Sequence, residues 1–322
     1  MSQQEPGTGG ADEALPPYAF FGPEGTFTEA ALLQWLDSRP AEPVPYPTVP
    51  AALDAVRRGE ALAAMVPIEN SVEGSVSATL DELASGDPLV ILSEVHLPVT
   101  FALMARPGTK LEDVRRIATH PHAQAQTRGW VAGHLPDARV LPAASTAAAA
   151  AAVAEPAAPF DAAIAAPLAA QVYGLEILAD NIGGISGAET RFVLVSKPVA
   201  PQSATGSDKT SLVLVMRDDH PGALLEILTE FAVRGINLTR IESRPTGGGI
   251  GDYYFSVDAE GHVDDARVGE ALMGLRRVCA AVRYLGSYPR VDKVRPTLRR
   301  GVSDADYADA QAWLSRVREG RG

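Results

Sequence analysis

The sequence is poor in cysteine, with Cys279 alone among 322 residues. An internal disulfide framework and a cysteine-cluster metal site are therefore excluded, and we expect Cys279 to be a small buried residue. Long apolar runs are also missing, because no stretch reaches the roughly 18 apolar residues that a membrane span requires. The first residues, MSQQEPGTGGADE, lack the basic and apolar segments of a signal peptide. These absences predict a cytoplasmic protein.

Positive charge is scarce as well. The formal net charge is -12 and the pI is near 5.0, which argues against a nucleic acid or an anionic membrane surface as a partner. The sequence has no G-x-G-x-x-G after a strand, no G-x-x-x-x-G-K-[ST] and no G-x-S-x-G, so nicotinamide, nucleoside triphosphate and acyl-transfer chemistry lack support. The six histidines form no metal-ligand grouping. We therefore predict chemistry that needs neither a cofactor nor a metal ion.

What is present is the composition of a globular protein, with 46% hydrophobic and 21% charged residues. We predict a flexible tail over residues 1–17 and a first domain over residues 18–197. In that domain, short apolar runs alternate with helical stretches, which indicates an α/β fold with a mostly parallel sheet. The predicted strands lie at residues 18–21, 63–66, 115–118, 140–141 and 162–165. The alanine-rich run at 143–152 predicts a helix.

A linker rich in proline, glycine and small hydroxyl residues follows at 198–208. Residues 209–289 then have the order strand, helix, strand, strand, helix, strand, which is the ferredoxin-like βαββαβ motif. Gly247 to Gly249 predict its hairpin turn. The C-terminal extension, 290–322, contains a short amphipathic helix that we expect to pack on either domain or on another subunit.

Polar residues of the first domain cluster where predicted strands give way to helices. Ligands bind at the carboxyl ends of strands in such sheets, where helix N-termini present unpaired amide groups to anions. Several helix N-termini around one cleft would therefore bind a carboxylate ligand without many lysines. The clusters are GPEGTFT at 22–28, PIENSVEG at 67–74, HPHAQ at 120–124, and Ser145-Thr146.

Seven motifs occur together in an order that closely resembles monofunctional bacterial prephenate dehydratases. The resemblance extends from Tyr18 to Pro289. The motifs are GPEGTF at 22–27, PIENS at 67–71, His120-Pro121 with Gln126, Ser145-Thr146-Ala147, Thr190-Arg191-Phe192, Pro221-Gly222-Ala223-Leu224, and Glu242-Ser243-Arg244-Pro245. Two departures stand before Thr190: Gly184 replaces the family's aspartate, and Gly187-Ala188 replace its asparagines.

The resemblance implies a catalytic domain of two lobes like those of periplasmic binding proteins, followed by an ACT regulatory domain. It implies conversion of prephenate to phenylpyruvate with loss of water and carbon dioxide, inhibited by phenylalanine. Thr190 becomes the catalytic residue. The substrate-binding set is Thr26, Glu69, Asn70, Ser71, His120, Gln126, Ser145, Thr146, Arg191 and Phe192. The phenylalanine set is Pro221, Gly222, Ala223, Leu224, Asn237, Glu242, Ser243 and Arg244.

Strand alternation qualifies one member of the substrate-binding set. If residues 190–195 form a strand, Arg191 points to the face opposite to Thr190 and Phe192, and it could instead form a structural ion pair. Two other functions stay open, an arogenate dehydratase and a non-catalytic amino-acid sensor, and the intact Thr190-Arg191-Phe192 argues against the sensor. Because small sheet domains commonly pair, we also expect a homodimer or homotetramer with effector sites between subunits.

Overall fold

The computed structural model describes residues 15–185, 187–246 and 253–321. The first part of the chain forms one lobe around a sheet in the order β2-β1-β3-β11-β5, with the short strand β4 beside β3. Its elements are β1 (Pro17–Phe21), α1 (Phe27–Leu36), β2 (Glu42–Tyr46), α2 (Val49–Arg58), β3 (Ala63–Asn70), β4 (Gly74–Ser75), α3 (Ser77–Ala84), β5 (Val90–Pro98) and the returning strand β11 (Glu189–Ser196).

A second lobe lies between β5 and β11 in the chain, around a sheet in the order β10-β6-β9-β7-β8. The alanine-rich α5 of this lobe packs small side chains onto its sheet. Its elements are β6 (Ala102–Ala105), a 3-10 turn (Leu111–Asp113), β7 (Arg116–Thr119), α4 (Pro121–His134), β8 (Arg139–Pro142), α5 (Thr146–Ala154), β9 (Ala162–Ala165), α6 (Pro167–Tyr173) and β10 (Glu176–Ala179).

The chain crosses between the lobes twice, at residues 99–101 and 180–188, and these crossings determine the strand directions. Most strands of each lobe have their carboxyl ends at the cleft. A strand that begins at the cleft and runs into a lobe is therefore antiparallel to them. Accordingly, β11 is antiparallel to β3 and β5, and β6 is antiparallel to β9 and β10. Apart from the short β4, one strand in each of these two sheets, β11 or β6, runs against the other four, so the predicted mostly parallel direction is observed with one exception per sheet. The two-lobed arrangement is confirmed.

The last sheet has the order β13-β14-β12-β15 and every pairing in it is antiparallel. The predicted βαββαβ order is the one observed, and the predicted turn at 247–249 lies outside the described residues. One face of the sheet packs on two helices in a core that includes the fully buried Cys279. The elements are β12 (Asp208–Met216), α7 (Ala223–Ala232), β13 (Leu238–Pro245), β14 (Tyr253–Glu260), α8 (Ala266–Val278) and β15 (Cys279–Pro289).

The other face of this sheet packs on the first lobe, so the two share a core. Val213, Tyr254, Leu285 and Tyr288 pack in one cluster with residues of α2, α3 and β5. At the edge of this contact, β15 approaches the main chain of β5 so closely that a Cβ built on Gly286 would overlap the carbonyl oxygen of Ile91. The first lobe and the C-terminal sheet therefore form one body.

The C-terminal helix α9 (Asp304–Arg318) begins with a capping box between Ser303 and Asp306. Its first turn is tied to α8, because the Ala266 amide donates to Asp304 Oδ1 (2.8 Å). Trp313, by contrast, is 55% exposed, and Leu314 and Val317 are exposed beside it. The predicted helix is thus present and contacts the C-terminal domain through its start. None of the helices in the described ranges is long and apolar enough to cross a membrane.

A group of buried charges fills the boundary between the first lobe and the C-terminal sheet, and we call it the interdomain cluster. Arg191 lies at its centre, 2.7 Å from Glu94 Oε2 and 2.5 Å from Asp258 Oδ2. Burial alone would raise the pKa of Glu94, but His96, Arg191 and Lys209 together lower it to about 2. The members of the cluster are Glu94, Arg191, Lys209, Ser211, Arg240, Asp258 and Tyr288.

The depressed pKa of Glu94 makes stability depend on acid pH. A carboxylate whose folded pKa is about 2, against an ordinary 4.5, contributes its full stability above pH 4.5 and loses it as the pH falls towards 2. We expect the melting temperature of Glu94→Gln to lie well below that of wild type at pH 7, and the gap to shrink between pH 4.5 and pH 2. Thermal unfolding across this range tests the expectation, with the exposed Glu112→Gln as control. If the melting temperatures of wild type and Glu94→Gln changed in parallel with pH, the expectation would be contradicted.

Candidate active site in the cleft between the lobes

A cleft of about 290 Å³ lies between the two lobes. Strand ends and helix starts of both lobes meet there, because β3 and β11 of the first lobe face α4 and α5 of the second. The lining combines aromatic, amide, hydroxyl and imidazole side chains: Phe21, Phe27, Asn70, Glu73, Val99, Phe101, His120, His122, Ala123, Gln126, Ala144, Ser145, Thr146 and Thr190.

Thr190 is held at the floor of the cleft by a hydrogen bond whose direction the surroundings fix. It lies opposite Asn70 in the pairing of β11 with β3. Asn70 Oδ1 accepts from the amides of Val72 (2.8 Å) and Glu73 (3.1 Å), so its Nδ2 donates to Thr190 Oγ1 at 2.7 Å. With a lone pair of the oxygen engaged in this way, the hydroxyl hydrogen of Thr190 is available to a ligand in the cleft.

The direction of this bond can be tested with Asn70→Asp, which keeps an acceptor for the two loop amides. An aspartate offers Thr190 no donor, so the threonine hydroxyl would donate to the carboxylate and be lost to the substrate. We expect kcat to fall about 10- to 100-fold while the fold is retained. Steady-state kinetics and circular dichroism measure this outcome. Unchanged kcat in a folded variant would contradict the assigned direction.

Three helices point their N-termini at the cleft, each with a side-chain cap. Thr26 caps α1 by accepting from the Glu29 amide (3.3 Å), and Ser145 caps α5 by accepting from the Ala148 amide (3.0 Å). His120 caps α4, its Nδ1 accepting from the His122 amide at 3.3 Å. First-turn amides not used by the caps, together with the helix dipoles, favour an anion in the cleft, and the described lining residues include neither arginine nor lysine.

Two histidines at the start of α4, the N-cap His120 and His122 of the first turn, contribute differently to the electrostatics of the cleft. His122 Nδ1 lies 2.8 Å from Glu73 Oε2, a contact that joins the second lobe to the first across the cleft. Partial burial, and then the neighbouring His122, lower the pKa of His120 from its ordinary value, while Glu73 acts in the opposite direction. His120 is therefore neutral at pH 7 and can orient a ligand without adding a charge.

Aromatic side chains from both parts of the chain form the apolar wall of the cleft. Phe27 of the first lobe packs edge to face on Phe101 of the crossing segment, with ring centroids 5.7 Å apart. Val99, from the same crossing segment, and Phe21, the last residue of β1, also line the cleft. A ligand with a flat ring and polar groups at its ends would fit this cleft, because the ring can pack on the aromatic wall while the polar groups bind the helix N-termini.

Six of the predicted site residues line the cleft together: Asn70, His120, Gln126, Ser145, Thr146 and Thr190. Two others shape its rim without lining it. Thr26 caps α1 and donates to the Phe21 carbonyl (3.4 Å), and Ser71 Oγ accepts from the Glu189 amide (2.9 Å), which fixes the loop after β3 at the start of β11.

Three further members of the predicted substrate-binding set lie outside the cleft lining, and their roles towards the substrate stay predictions. Arg191 is 6% exposed and points into the interdomain cluster, because side chains alternate along β11. Glu69 lies on the same side, 3.6 Å from Arg191 Nη1. Phe192 returns to the side of Thr190 but is 1% exposed, packed beneath the cleft against Phe20 and Met65.

Other residues line the cleft that the sequence did not single out. Glu73 and His122 lie within the polar clusters at 67–74 and 120–124, and their contact across the lobes places them at the cleft. The sequence does not predict Val99 and Phe101 as cleft residues. They lie on the crossing segment at 99–101, where apolar residues are no different from those of a buried strand. The departure at Gly184 has a geometric account, since its amide donates to the Gln126 carbonyl (2.7 Å) and a Cβ there would lie 3.1 Å from that oxygen.

The residues predicted to bind phenylalanine lie on two elements of the C-terminal domain. Gly222 precedes α7 with φ +100°, a left-handed conformation that favours glycine. Pro221 and Leu224 are exposed there, whereas Ala223 is buried. Asn237 is exposed just before β13, and Glu242, Ser243 and Arg244 lie on that edge strand. Arg244 reaches the first lobe, where its Nη2 lies 3.0 Å from Asp81 Oδ2.

Comparison with known proteins agrees with this architecture. The prephenate dehydratase family model matches residues 18–200, and the ACT domain model matches residues 210–277. A prephenate dehydratase of Amycolatopsis methanolica is 48% identical over 303 residues, covering 94% of this chain and 98% of the relative. One from Mycobacterium marinum is 49% identical over 311 residues, covering 94% and 96%.

A solved structure gives the same result in three dimensions. The crystal structure of prephenate dehydratase from Arthrobacter aurescens in complex with L-Phe is 53% identical, has a TM-score of 0.89, and covers 94% of this chain and 99% of its own. The relatives and the solved structure each span both the two-lobed part and the C-terminal sheet, and the two family models match one part each. The chain belongs to the prephenate dehydratase family and carries an ACT domain.

Proposed function

We propose that this chain dehydrates and decarboxylates prephenate to phenylpyruvate, as a hydro-lyase of L-phenylalanine biosynthesis. The observation that supports this best is the hydrogen bond from Asn70 to Thr190, which presents the threonine hydroxyl to a cleft surrounded by helix N-termini. Such a cleft suits a dianion, and such a hydroxyl suits a departing oxygen.

The reaction asks little of the enzyme. The electrons of the breaking C–C bond to the leaving carboxylate aromatise the ring and expel the hydroxyl, so carbon dioxide and hydroxide depart and hydroxide takes a proton from solvent. Thr190 donates a hydrogen bond to that oxygen as its C–O bond lengthens, since an aliphatic hydroxyl is too weak an acid to give up its proton. The gain comes from stabilising charge that exists only in the transition state.

The remaining cleft residues bind and orient the substrate. The N-termini of α4 and α5 receive its carboxylates, with Ser145, Thr146 and His120 at their starts, and the Phe27 and Phe101 rings flank its ring. Gln126 adds an amide from α4. Thr26 and Ser71 act indirectly, by fixing the backbone at the rim of the cleft.

Prephenate is preferred over arogenate for an electrostatic reason. Arogenate carries an ammonium where prephenate has a keto group, and an ammonium binds best beside an unpaired carboxylate. The acidic residue in the described lining is Glu73, which is already paired with His122. The alternative of a non-catalytic amino-acid sensor would leave the oriented Thr190 hydroxyl without a purpose.

The experiment is turnover of the purified full chain with each substrate, by phenylpyruvate formation from prephenate and phenylalanine formation from arogenate. We expect kcat/KM for prephenate to exceed that for arogenate at least tenfold. Efficient turnover of arogenate alone would identify an arogenate dehydratase. No turnover of either, with phenylalanine still bound, would leave the sensor.

Regulation and assembly follow from the C-terminal domain. L-phenylalanine inhibits by binding at Pro221 to Leu224, Asn237, and Glu242 to Arg244. The start of α7 takes its carboxylate, and Leu224 forms part of its side-chain pocket. The two motifs lie on separate elements with exposed members, which supports effector sites completed by a second subunit in a homodimer or homotetramer. Light scattering tests the assembly, and a monomeric mass contradicts it. The enzyme works in the cytoplasm.

A further inference from the structure

The residue that follows Thr190 in the chain is anchored in the other domain. Arg191 Nη1 lies 2.5 Å from Asp258 Oδ2 on β14, and its Nη2 donates to Tyr288 Oη on β15 at 2.9 Å. Thr190 and Arg191 project to opposite sides of β11. The ACT domain therefore binds β11 at Arg191, one residue away from Thr190, whose hydroxyl faces the cleft.

The backbone at this point is irregular. The pairing of β11 with β3 shifts register between Arg191 and Phe192, whereas Thr190 stays opposite Asn70. A displacement of Arg191 relative to β3 therefore acts on the strand segment that sets the distance from Thr190 Oγ1 to Asn70 Nδ2. The length and direction of that hydrogen bond determine whether the hydroxyl points into the cleft.

Asp258 is shared between two arginines. Its Oδ2 accepts Arg191 Nη1 and also lies 3.1 Å from Arg240 Nε, while its Oδ1 accepts from Ser211 Oγ at 2.6 Å. All of these groups are buried. Because one carboxylate oxygen serves both guanidinium groups, a closer contact with Arg240 weakens the contact with Arg191, and the reverse.

Arg240 in turn stands next to the predicted effector motif. Its Nη2 donates to Ser256 Oγ (2.7 Å), but its buried Nη1 has no hydrogen-bond partner among the described residues. Glu242 of the effector motif lies just beyond hydrogen-bond range of that nitrogen, with its Oε2 4.0 Å away. A small movement of Glu242 towards Arg240 would give Nη1 a hydrogen-bond acceptor. The guanidinium group would then move, and its contact with Asp258 Oδ2 would change.

We propose that Arg240 and Asp258 are positioning residues that carry phenylalanine occupancy at Glu242 to Arg191 and so to Thr190. The inference rests on the proposed function, since it needs both turnover and inhibition. Its physical basis is the shared Asp258 oxygen, an element with two arrangements that both sites can bias.

The test separates binding of phenylalanine from its effect. In Arg240→Gln, Asp258 keeps Arg191, so we expect kcat without phenylalanine within about threefold of wild type and phenylalanine affinity by calorimetry within about threefold. Inhibition at saturating phenylalanine should fall from about tenfold or more in wild type to under about twofold. The control is Arg234→Gln, which removes another arginine ion pair, Arg234 to Glu230 (2.7 Å), inside the same domain and should keep full inhibition.

The outcomes are distinct. Full inhibition of Arg240→Gln with unchanged phenylalanine affinity overturns the inference. Wild type without turnover, or with turnover indifferent to phenylalanine, overturns the proposed function and the inference with it. If Arg240→Gln does not fold, Ser256→Ala decides instead, because it removes only the acceptor of Arg240 Nη2. Weakened inhibition with intact binding in that variant supports the relay, and wild-type inhibition refutes it.

Discussion

Replacing Thr190 with valine is expected to lower kcat for prephenate by about 10²- to 10⁴-fold, the usual contribution of a positioned hydrogen-bond or proton donor. Valine keeps the β-branched shape that suits the strand and removes only the hydroxyl. Because the donor acts on the departing oxygen and not on the bound carboxylates, we expect KM to change by less than about threefold. Steady-state kinetics of phenylpyruvate formation measure both constants.

Thr190→Ser is the matched control. Serine retains the hydroxyl and can still accept from Asn70 Nδ2, so its kcat should stay within about tenfold of wild type. A valine variant as active as the serine variant would remove Thr190 from the chemistry. A valine variant that raises KM with kcat unchanged would show that the hydroxyl binds the ground state and transition state equally.

Gly286→Ala is expected to have the largest effect on stability. Gly286 has φ +125°, a region that L side chains rarely adopt, and its added Cβ would overlap the main chain of Ile91. Main-chain atoms of β5 cannot move aside as a flexible side chain would. Strain and overpacking together should cost about 2–5 kcal/mol, which lowers the melting temperature by roughly 3–7 °C in a protein of this size.

The control for backbone conformation alone is Gly206→Ala. Gly206 has φ +81° and nothing within 4 Å of a built Cβ, so only the left-handed conformation is penalised, by about 1 kcal/mol. Differential scanning calorimetry compares the two variants. Equal shifts would mean that the contact with β5 contributes nothing, whereas a larger shift for Gly286→Ala locates the strain at the domain boundary.

Features that depend only on residues close together in the chain could be predicted from the sequence. The strand-to-helix junctions predicted the polar clusters that contain Thr26, His120 and Ser145, and the six-element order of the C-terminal domain followed from local periodicity. Alternation along β11 also gave the correct side for Arg191, although the resemblance assigned it to the substrate. Its destination could not be predicted, because Asp258 lies 67 residues away on another sheet.

The features that could not be predicted concern how separate parts of the chain meet. Phe192 is buried only because α1 covers β11, and Glu73 reaches His122 only because the lobes face each other. The antiparallel direction of β11 follows from two crossings that no local pattern marks. Long-range packing of this kind decides which polar residues line a cleft.

The core shared between the first lobe and the ACT sheet leaves the molecule few internal degrees of freedom. Val213, Tyr254, Leu285 and Tyr288 hold those two parts together as a single rigid body. The second lobe is instead joined to that body by two crossing segments and by contacts such as Glu73 to His122 and the Tyr173 hydroxyl to the Glu24 carbonyl (2.8 Å). We therefore expect any opening of the cleft to be a hinge motion of the second lobe, with the ACT domain on the side of the hinge that stays with the first lobe.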